Sequence, residues 1–194
     1  CKSEVGRMKR IGVLALQGAI REHVQMLEAL NCEVIQVKHK KDLINLDGLV
    51  LPGGESTTMR KLLDRFDLLE PIRELALQGL PMFGTCAGLI LLASHLVNEE
   101  AHLAVMDVVV ARNSFGRQVD SFEIQLDIPK IGTDIPAVFI RAPHIKAVGK
   151  NVEILAEYEE KVILARDGHL LGCAFHPELT GDSRILEYFV SSMV

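Results

Sequence analysis

The feature that most constrains the fold is a series of short apolar runs, each stopped by glycine or proline or followed by helical spacing. Residues 11–16 end at Gln17-Gly18, residues 49–51 end at Pro52, and residues 82–85 lead into an apolar helical pattern. Apolar runs of this length are typical of parallel strands that are covered on both faces. The first half of the chain therefore predicts a parallel sheet flanked by helices.

The second half predicts antiparallel strands, because strand patterns follow one another there without long helices. Asp167-Gly168 is a hairpin signal between two of them. Ser56 is the expected N-cap of one helix and Gly79 the expected stop of a helix over 68–77, and a last helix is expected over 183–193. The fold class predicted is α/β, a three-layer, open, mostly parallel sheet flanked by helices with an additional antiparallel strand portion. The predicted strands cover residues 11–16, 34–37, 49–51, 82–85, 105–111, 122–128, 138–142, 154–158, 162–166 and 170–175.

Length and composition allow one domain and limit the classes of partner. A chain of 194 residues, 48% apolar and 5% aromatic, builds its core from Leu, Ile, Val and Ala, and we expect a single domain over residues 8–194. Residues 1–7 are expected to be an expression remnant, because Met8 has the place of a natural start. A net charge of −5 argues against nucleic-acid binding. No apolar run approaches the roughly 20 residues that span a membrane.

The cysteines and histidines carry no pattern of a disulfide framework or a metal site. The four cysteines lie far apart without a C-x-x-C pair, and no Cys/His cluster has zinc-ligand spacing. We therefore expect no metal and a reducing, cytoplasmic location.

Ligands of open α/β sheets bind beyond the carboxyl ends of the strands. Five segments that are distant in the chain lie at or just after the end of a predicted strand, and we expect them to meet at one rim of the sheet. They are Gln17, residues 52–56, Cys86, residues 141–143 and His176.

Cys86 has the setting of a nucleophile. It lies in Gly84-Thr85-Cys86-Ala87-Gly88, a cysteine version of the G-x-S-x-G elbow, between a predicted strand and a predicted helix. The start of a helix favours the thiolate, which is the attacking species. The alternative for Cys86 is a small buried cysteine in a tight turn. For Cys32 and Cys173, which lie inside or beside predicted strands, a buried structural role is expected instead.

His176-Pro177-Glu178 follows the last apolar strand and provides the groups that activate a nucleophile. In an extended chain, the side chains of His176 and Glu178 share a face, so the carboxylate can hold the imidazole. A nucleophile, a base and a carboxylate that orients the base form a covalent acyl-transfer site. The alternative is a turn at the end of a strand with a solvated Glu178.

Residues 52–57 and two arginines could bind a substrate. The loop lacks the spacing and the lysine of a phosphate loop. Its paired glycines allow the Gly54 amide to face a developing oxyanion, with the Ala87 amide as second donor. Arg112 and Arg141 could each bind a carboxylate bidentately, or could be surface arginines paired with acidic residues.

Taken together, the Gly-x-Cys-x-Gly, His-Pro-Glu and Pro-Gly-Gly-Glu-Ser-Thr motifs resemble those of the class I glutamine amidotransferases. This resemblance implies the flavodoxin-like fold of the class I glutaminases. Further matching segments cover essentially residues 8–194 and look like the glutaminase subunits of pyridoxal 5'-phosphate synthase. These segments are residues 16–18, 52–58, 111–118, 139–143 and 175–180.

The resemblance implies a role for each candidate residue. It implies a catalytic triad of Cys86, His176 and Glu178, with the Gly54 and Ala87 amides at the oxyanion and without a cofactor. The residues implied to hold L-glutamine are Gly54, Glu55, Ser56, Arg112, Ile140 and Arg141. The implied partner is a (β/α)8 barrel synthase subunit that receives the ammonia, and we hypothesise that docking resets the Gln17-Gly18 segment.

Two other functions stay open for the same residues. A cysteine peptidase or related thiol hydrolase of similar fold could use the same elbow. A non-catalytic α/β binding module could use Cys86 merely as a compact turn residue.

Overall fold

The computed structural model describes residues 7–112 and 121–194. Predictions that concern residues 1–6 and 113–118 lie outside this part of the chain. The helices of the described residues are α1 (Ile20–Ala29), α2 (Ser56–Arg65), α3 (Leu69–Leu77), α4 (Ala87–Leu92) and α5 (Arg184–Ser192), with 3-10 turns at Lys40–Leu43 and Pro177–Leu179. The strands of the first half are β1 (Arg10–Leu14), β2 (Glu33–Val37), β3 (Gly48–Leu51), β4 (Met82–Thr85), β5 (Ala93–Leu96) and β6 (Met106–Ala111). Those of the second half are β7 (Ser121–Ile128), β8 (Gly132–Ile140), β9 (His144–Val148), β10 (Glu153–Tyr158), β11 (Lys161–Asp167) and β12 (Leu170–Cys173).

Ten of these strands form one mixed sheet, in which nine follow the order β2-β1-β3-β4-β12-β11-β9-β6-β5 and β10 pairs with β11. The first five strands in this order are all parallel, and they reproduce the flavodoxin-like order 2-1-3-4-5. The next pairs, from β12 through β11 and β9 to β6, are antiparallel. The predicted fold class, a mostly parallel sheet with an antiparallel portion, is confirmed.

Burial explains why the central strands read as continuous apolar runs. Every residue of β3, β4 and β12 is buried, whereas the edge strand β2 buries only Val37 fully. Helices cover this sheet, and on one side the Phe189 ring of α5 packs 5.5 Å from the ring of Phe83. Strands that are covered on both faces have no solvent-exposed face, so their sequences do not alternate between apolar and polar residues.

The strand predictions were wrong in three places. β5 and β9 were not predicted at all, and β8 begins at Gly132 rather than at residue 138. Among the described strands, β8 pairs with β7 alone, in a separate two-stranded sheet, where Pro136 is tolerated because a ribbon has free edges. Arg141 therefore follows a strand of this small sheet and not, as expected, a strand of the main sheet.

The turn predictions were confirmed at two glycines. Gly79, with φ of +103°, comes directly after the C-cap of α3, and Gly168, with φ of +60°, lies in the hairpin between β11 and β12. Both backbone conformations favour glycine, since it has no Cβ. No helix within the two described ranges is long and apolar enough to cross a membrane.

Candidate active site

Cys86 and His176 meet because they follow neighbouring strands. β4 and β12 are parallel and in register, with Thr85 opposite Cys173, and the Cys86 amide donates to the Cys173 carbonyl at 2.8 Å. The chain then leaves β12 and reaches His176, whose amide donates to the Val138 carbonyl of β8 at 2.8 Å. The carboxyl ends of two adjacent parallel strands thus bring a thiol and an imidazole together, and the small sheet holds the imidazole segment from its other side.

Cys86 lies in a strained turn that only glycine neighbours allow. Its backbone has φ of 52° and ψ of −103°, between the end of β4 and the start of α4. A Cβ on Gly84 would lie 2.5 Å from the Gly88 carbonyl oxygen, and a Cβ on Gly88 would overlap the carbonyl of Leu51. Strain of this kind persists only where the surrounding packing fixes it. The two glycines let α4 pack closely on β3 and β4, and this holds the cysteine in place.

His176 and Glu178 form a short, buried hydrogen bond. His176 Nδ1 and Glu178 Oε1 are 2.6 Å apart, and the two residues are only 7% and 4% exposed. The predicted contact is present, but through the 3-10 turn at Pro177–Leu179 rather than through an extended chain. Burial by itself lowers the pKa of His176, but hydrogen bonds to Cys86 and Glu178 outweigh it and raise this pKa to about 10. The imidazolium of His176 therefore lies directly beside the sulfur of Cys86.

A cavity of about 340 Å³ opens beside the thiol. Cys86 Sγ lies 4.0 Å from the carbonyl oxygen of Ile140, which is part of the cavity wall. The wall contains all six residues predicted to hold glutamine and both predicted oxyanion donors. The described residues of the wall are Gly54, Glu55, Ser56, Ala87, Ile90, Arg112, Ile140, Arg141 and Pro143. This volume is of the size that small-molecule sites have, roughly 300–1,000 Å³.

Two side chains among the described residues hold Arg112 at the cavity. Its Nη2 donates to Ser56 Oγ at 2.5 Å, and its Nε donates to Glu99 Oε2 at 2.5 Å. Ser56 is buried, so the hydrogen bond from Nη2 to its hydroxyl anchors the side of the guanidinium that faces the protein interior. Glu99 was not singled out in the sequence, because nothing local links it to Arg112.

Glu55, and not Ser56, is the N-cap of α2. The Glu55 carboxylate accepts hydrogen bonds from the amides of Thr57 and Thr58, at 3.1 and 2.7 Å, and from the Thr58 hydroxyl. Burial is the largest single influence and raises the pKa of Glu55, but the hydrogen bonds from Thr57 and Thr58 together outweigh it and lower this pKa to about 2. The prediction of Ser56 as the cap was therefore wrong. Ser56 is the first residue of the helix, which leaves its hydroxyl to Arg112.

Gln17 and Gly18 lie against the glycine loop, at the switch between β1 and β3. Gln17 Oε1 accepts from the Glu55 amide at 2.8 Å, and the Ala19 amide donates to the Gly53 carbonyl at 2.9 Å. Gly18 has φ of +98°, and a Cβ there would overlap the Gly53 carbonyl. The connection after β1 is thus bonded directly to the loop predicted to supply an oxyanion donor.

His23 is a residue of this site that the sequence reasoning missed. It lies on α1, is fully buried, and its Nε2 is 3.5 Å from Glu178 Oε2 and 3.3 Å from Thr85 Oγ1. The available signal was its spacing from Ile20 and Leu27, which places a histidine on the apolar face of the helix.

No group of three or more His, Cys, Asp or Glu side chains within residues 7–112 and 121–194 could hold a metal ion. Cys32, Cys86 and Cys173 are free thiols, and all three are buried.

Comparison with known proteins points to one family. Residues 13–194 match the model of the SNO glutamine amidotransferase family. The chain is 57% identical over 183 residues to pyridoxal 5'-phosphate synthase subunit PdxT of Geobacillus thermodenitrificans, which covers 94% of each chain. It is 56% identical over 184 residues to the subunit of the same name from Halalkalibacterium halodurans, again with 94% of each chain. Among solved structures, a glutamine amidotransferase that is 43% identical superposes with a TM-score of 0.89, covering 93% of this chain and 97% of the other.

Proposed function

This chain belongs to the SNO glutamine amidotransferase family, and from that premise we propose that it is the glutaminase subunit of pyridoxal 5'-phosphate synthase. It hydrolyses L-glutamine to L-glutamate and passes the ammonia to a synthase partner. We expect it to act in the cytoplasm, since a cysteine nucleophile must remain reduced.

The observation that carries the proposal is the cavity beside Cys86. Its wall holds two arginines, one of which is fixed by Ser56 and Glu99, and it ends near a thiol whose neighbour is a buried His-Glu pair. An amino-acid substrate needs a cation for its carboxylate, and an amide hydrolase needs a nucleophile with an acid-base partner. One cavity supplies both requirements at once.

In the first half of the proposed reaction, the Cys86 thiolate attacks the side-chain amide carbon of glutamine. The carbonyl oxygen becomes an oxyanion, which the amides of Gly54 and Ala87 stabilise; the Ala87 amide is at the first position of a helix, where amides lack intrahelical partners. The protonated His176 gives its Nε2 proton to the departing nitrogen. Ammonia leaves, and a glutamyl thioester remains on the sulfur.

In the second half, His176 is neutral and acts as the base. It takes a proton from water, the resulting hydroxide attacks the thioester carbon, and the carbon-sulfur bond breaks. Glutamate leaves, Cys86 returns as thiolate and His176 as imidazolium. Glu178 keeps the proton of Nδ1 in place throughout, because its Oε1 accepts from that nitrogen.

The ammonia needs a protected acceptor, because in water at neutral pH it would be protonated and lose its nucleophilicity. We propose that the acceptor is a (β/α)8 barrel synthase subunit and that docking of this partner resets the Gln17-Gly18 segment. The bonds from this segment to Gly53 and Glu55 support that idea, since a shift of the segment must move the loop beside the cavity.

The test is glutaminase activity with and without the synthase partner. We expect ammonia release to rise when the partner is added and to be lost in Cys86→Ala. Cys32→Ala is the matched control, because it removes another buried thiol that belongs to a different part of the core. Ammonia release that survives in Cys86→Ala would refute the assignment. Cleavage of peptides would favour a peptidase, and failure of a glutamine-like electrophile to label Cys86 in the complex would favour a binding module.

A further inference from the structure

The second carboxylate oxygen of Glu178 faces a histidine that the proposed reaction does not use. Oε1 of Glu178 is bonded to His176, but Oε2 is buried and has no hydrogen-bond partner within the described residues. His23 Nε2 lies 3.5 Å from this oxygen, and both side chains are fully inaccessible to water. A buried carboxylate oxygen without a donor loses its hydration with nothing in exchange, so the position of the His23 proton matters.

The position of that proton follows from the oxygens around the ring. Nε2 has two oxygens near it, Thr85 Oγ1 at 3.3 Å and Glu178 Oε2 at 3.5 Å, whereas Nδ1 has no hydrogen-bond partner within the described residues. A proton on Nε2 is attracted by both oxygens. A lone pair on Nε2 would instead face a buried anion, and the carboxylate oxygen would remain without any donor.

We propose that His23 is a positioning residue: a neutral imidazole with its proton on Nε2, which holds Glu178 Oε2 so that Oε1 stays directed at His176. The catalytic consequence rests on the proposed glutaminase function. The tautomer of His23 and its contact with Glu178 do not depend on that function.

The surroundings of His23 favour the neutral ring. Burial lowers the pKa of His23 most strongly, and the charge on His176 lowers it further, whereas Glu178 and Glu22 raise it; the net effect is a lowered pKa. A neutral donor next to Glu178 leaves the negative charge of the carboxylate available to the imidazolium of His176. A second cation at this position would compete with His176 for the same charge.

The functional test compares His23→Leu with His23→Gln in the complex with the synthase partner. Leucine removes the donor, whereas the amide of glutamine can take the place of Nε2 and still donate. Because the 3.5 Å contact is longer than a full hydrogen bond, we expect kcat to fall about 3- to 10-fold in His23→Leu and KM to stay nearly constant. His23→Gln should keep most of the activity.

Leu27→Ala controls for packing, because Leu27 is buried one helical turn further on the same face of α1. It should lower the melting temperature without reproducing the loss of kcat. If His23→Gln is as inactive as His23→Leu, or if the loss is in KM, His23 acts only through packing and the proposal is refuted.

A spectroscopic measurement tests the tautomer of His23 even if His23→Leu does not fold. Its result does not depend on the proposed glutaminase function. Nitrogen-15 spectra of the full wild-type chain with labelled histidine distinguish the two neutral tautomers from the doubly protonated ring. The His23 signals are those that disappear in His23→Gln. We expect a neutral ring protonated at Nε2 at neutral pH, and a proton on Nδ1 would overturn the proposal even in a fully active glutaminase.

Discussion

Replacing Glu178 by glutamine is the perturbation whose effect the structure defines best. It removes the charge behind His176 but keeps the size of the side chain and an acceptor oxygen 2.6 Å from Nδ1. Because the carboxylate is fully buried, water does not screen its charge. A hydrogen bond to a charged acceptor is worth about 1–1.5 kcal/mol more than one to a neutral acceptor, which corresponds to a loss in kcat of about 5- to 10-fold.

The same variant should change the pH dependence of the reaction. His176 has a pKa of about 10 with Glu178 and Cys86 beside it, against an ordinary value of 6.5. Without the carboxylate, the protonated form of His176 is lost at lower pH, so the alkaline limb of kcat moves towards neutral pH. We would measure ammonia release by the complex from about pH 6 to 10.

Glu187→Gln is the matched control for Glu178→Gln. It makes the same chemical change at an exposed position of α5 and should leave both kcat and the alkaline limb unchanged. An alkaline limb at the same pH in Glu178→Gln and in the wild type would refute the role given to Glu178.

Three further predictions concern the residues around the proposed triad. Glu99→Gln weakens the hold on Arg112 and should raise the KM for glutamine about 2- to 5-fold with little change in kcat; a fall in kcat alone would contradict it. Gly88→Ala brings a Cβ onto the Leu51 carbonyl and should lower the free energy of unfolding in urea by about 1–3 kcal/mol; an unchanged value would show that α4 can shift without cost. Glu55→Gln removes the charged cap of α2 and should cost about 1 kcal/mol at neutral pH. Because folding lowers the pKa of Glu55 from 4.5 to about 2, this stabilisation is present above pH 4.5 and lost as the pH falls to 2, so equal differences at both ends would contradict it.

The sequence predicts the parallel part of the sheet well, because strands that are buried on both faces are continuous apolar runs in the sequence. β4 has the predicted bounds, since the apolar run coincides with the buried segment. β5 follows α4 without any intervening residue, so no turn residue marks the change from helix to strand. β9 begins after Pro143 and has two exposed residues among five, and its pairing with β6 and β11 comes from distant parts of the chain.

The site is predictable where its residues follow strand ends, and not where long-range packing decides. Cys86 and His176 come from a rule about parallel sheets, and the structure brings them together. His23 contacts Glu178 only because α1 packs beside the turn that follows β12, and no local pattern contains this pairing. The N-cap error has a local cause, because Glu55 and Ser56 are adjacent and each could cap the helix by its side chain.

The connection from β1 to α1 reaches two parts of the site that come from distant segments. Gln17 accepts from the Glu55 amide beside the cavity, and one turn into the helix His23 faces Glu178. A partner that shifts this connection would therefore act on the loop proposed to hold the oxyanion and on Glu178, behind the proposed base, together. In His23→Leu the second of these links is absent, so the ratio of kcat with the synthase partner to kcat without it should be smaller than in the wild type. An unchanged ratio would mean that docking acts through the loop alone.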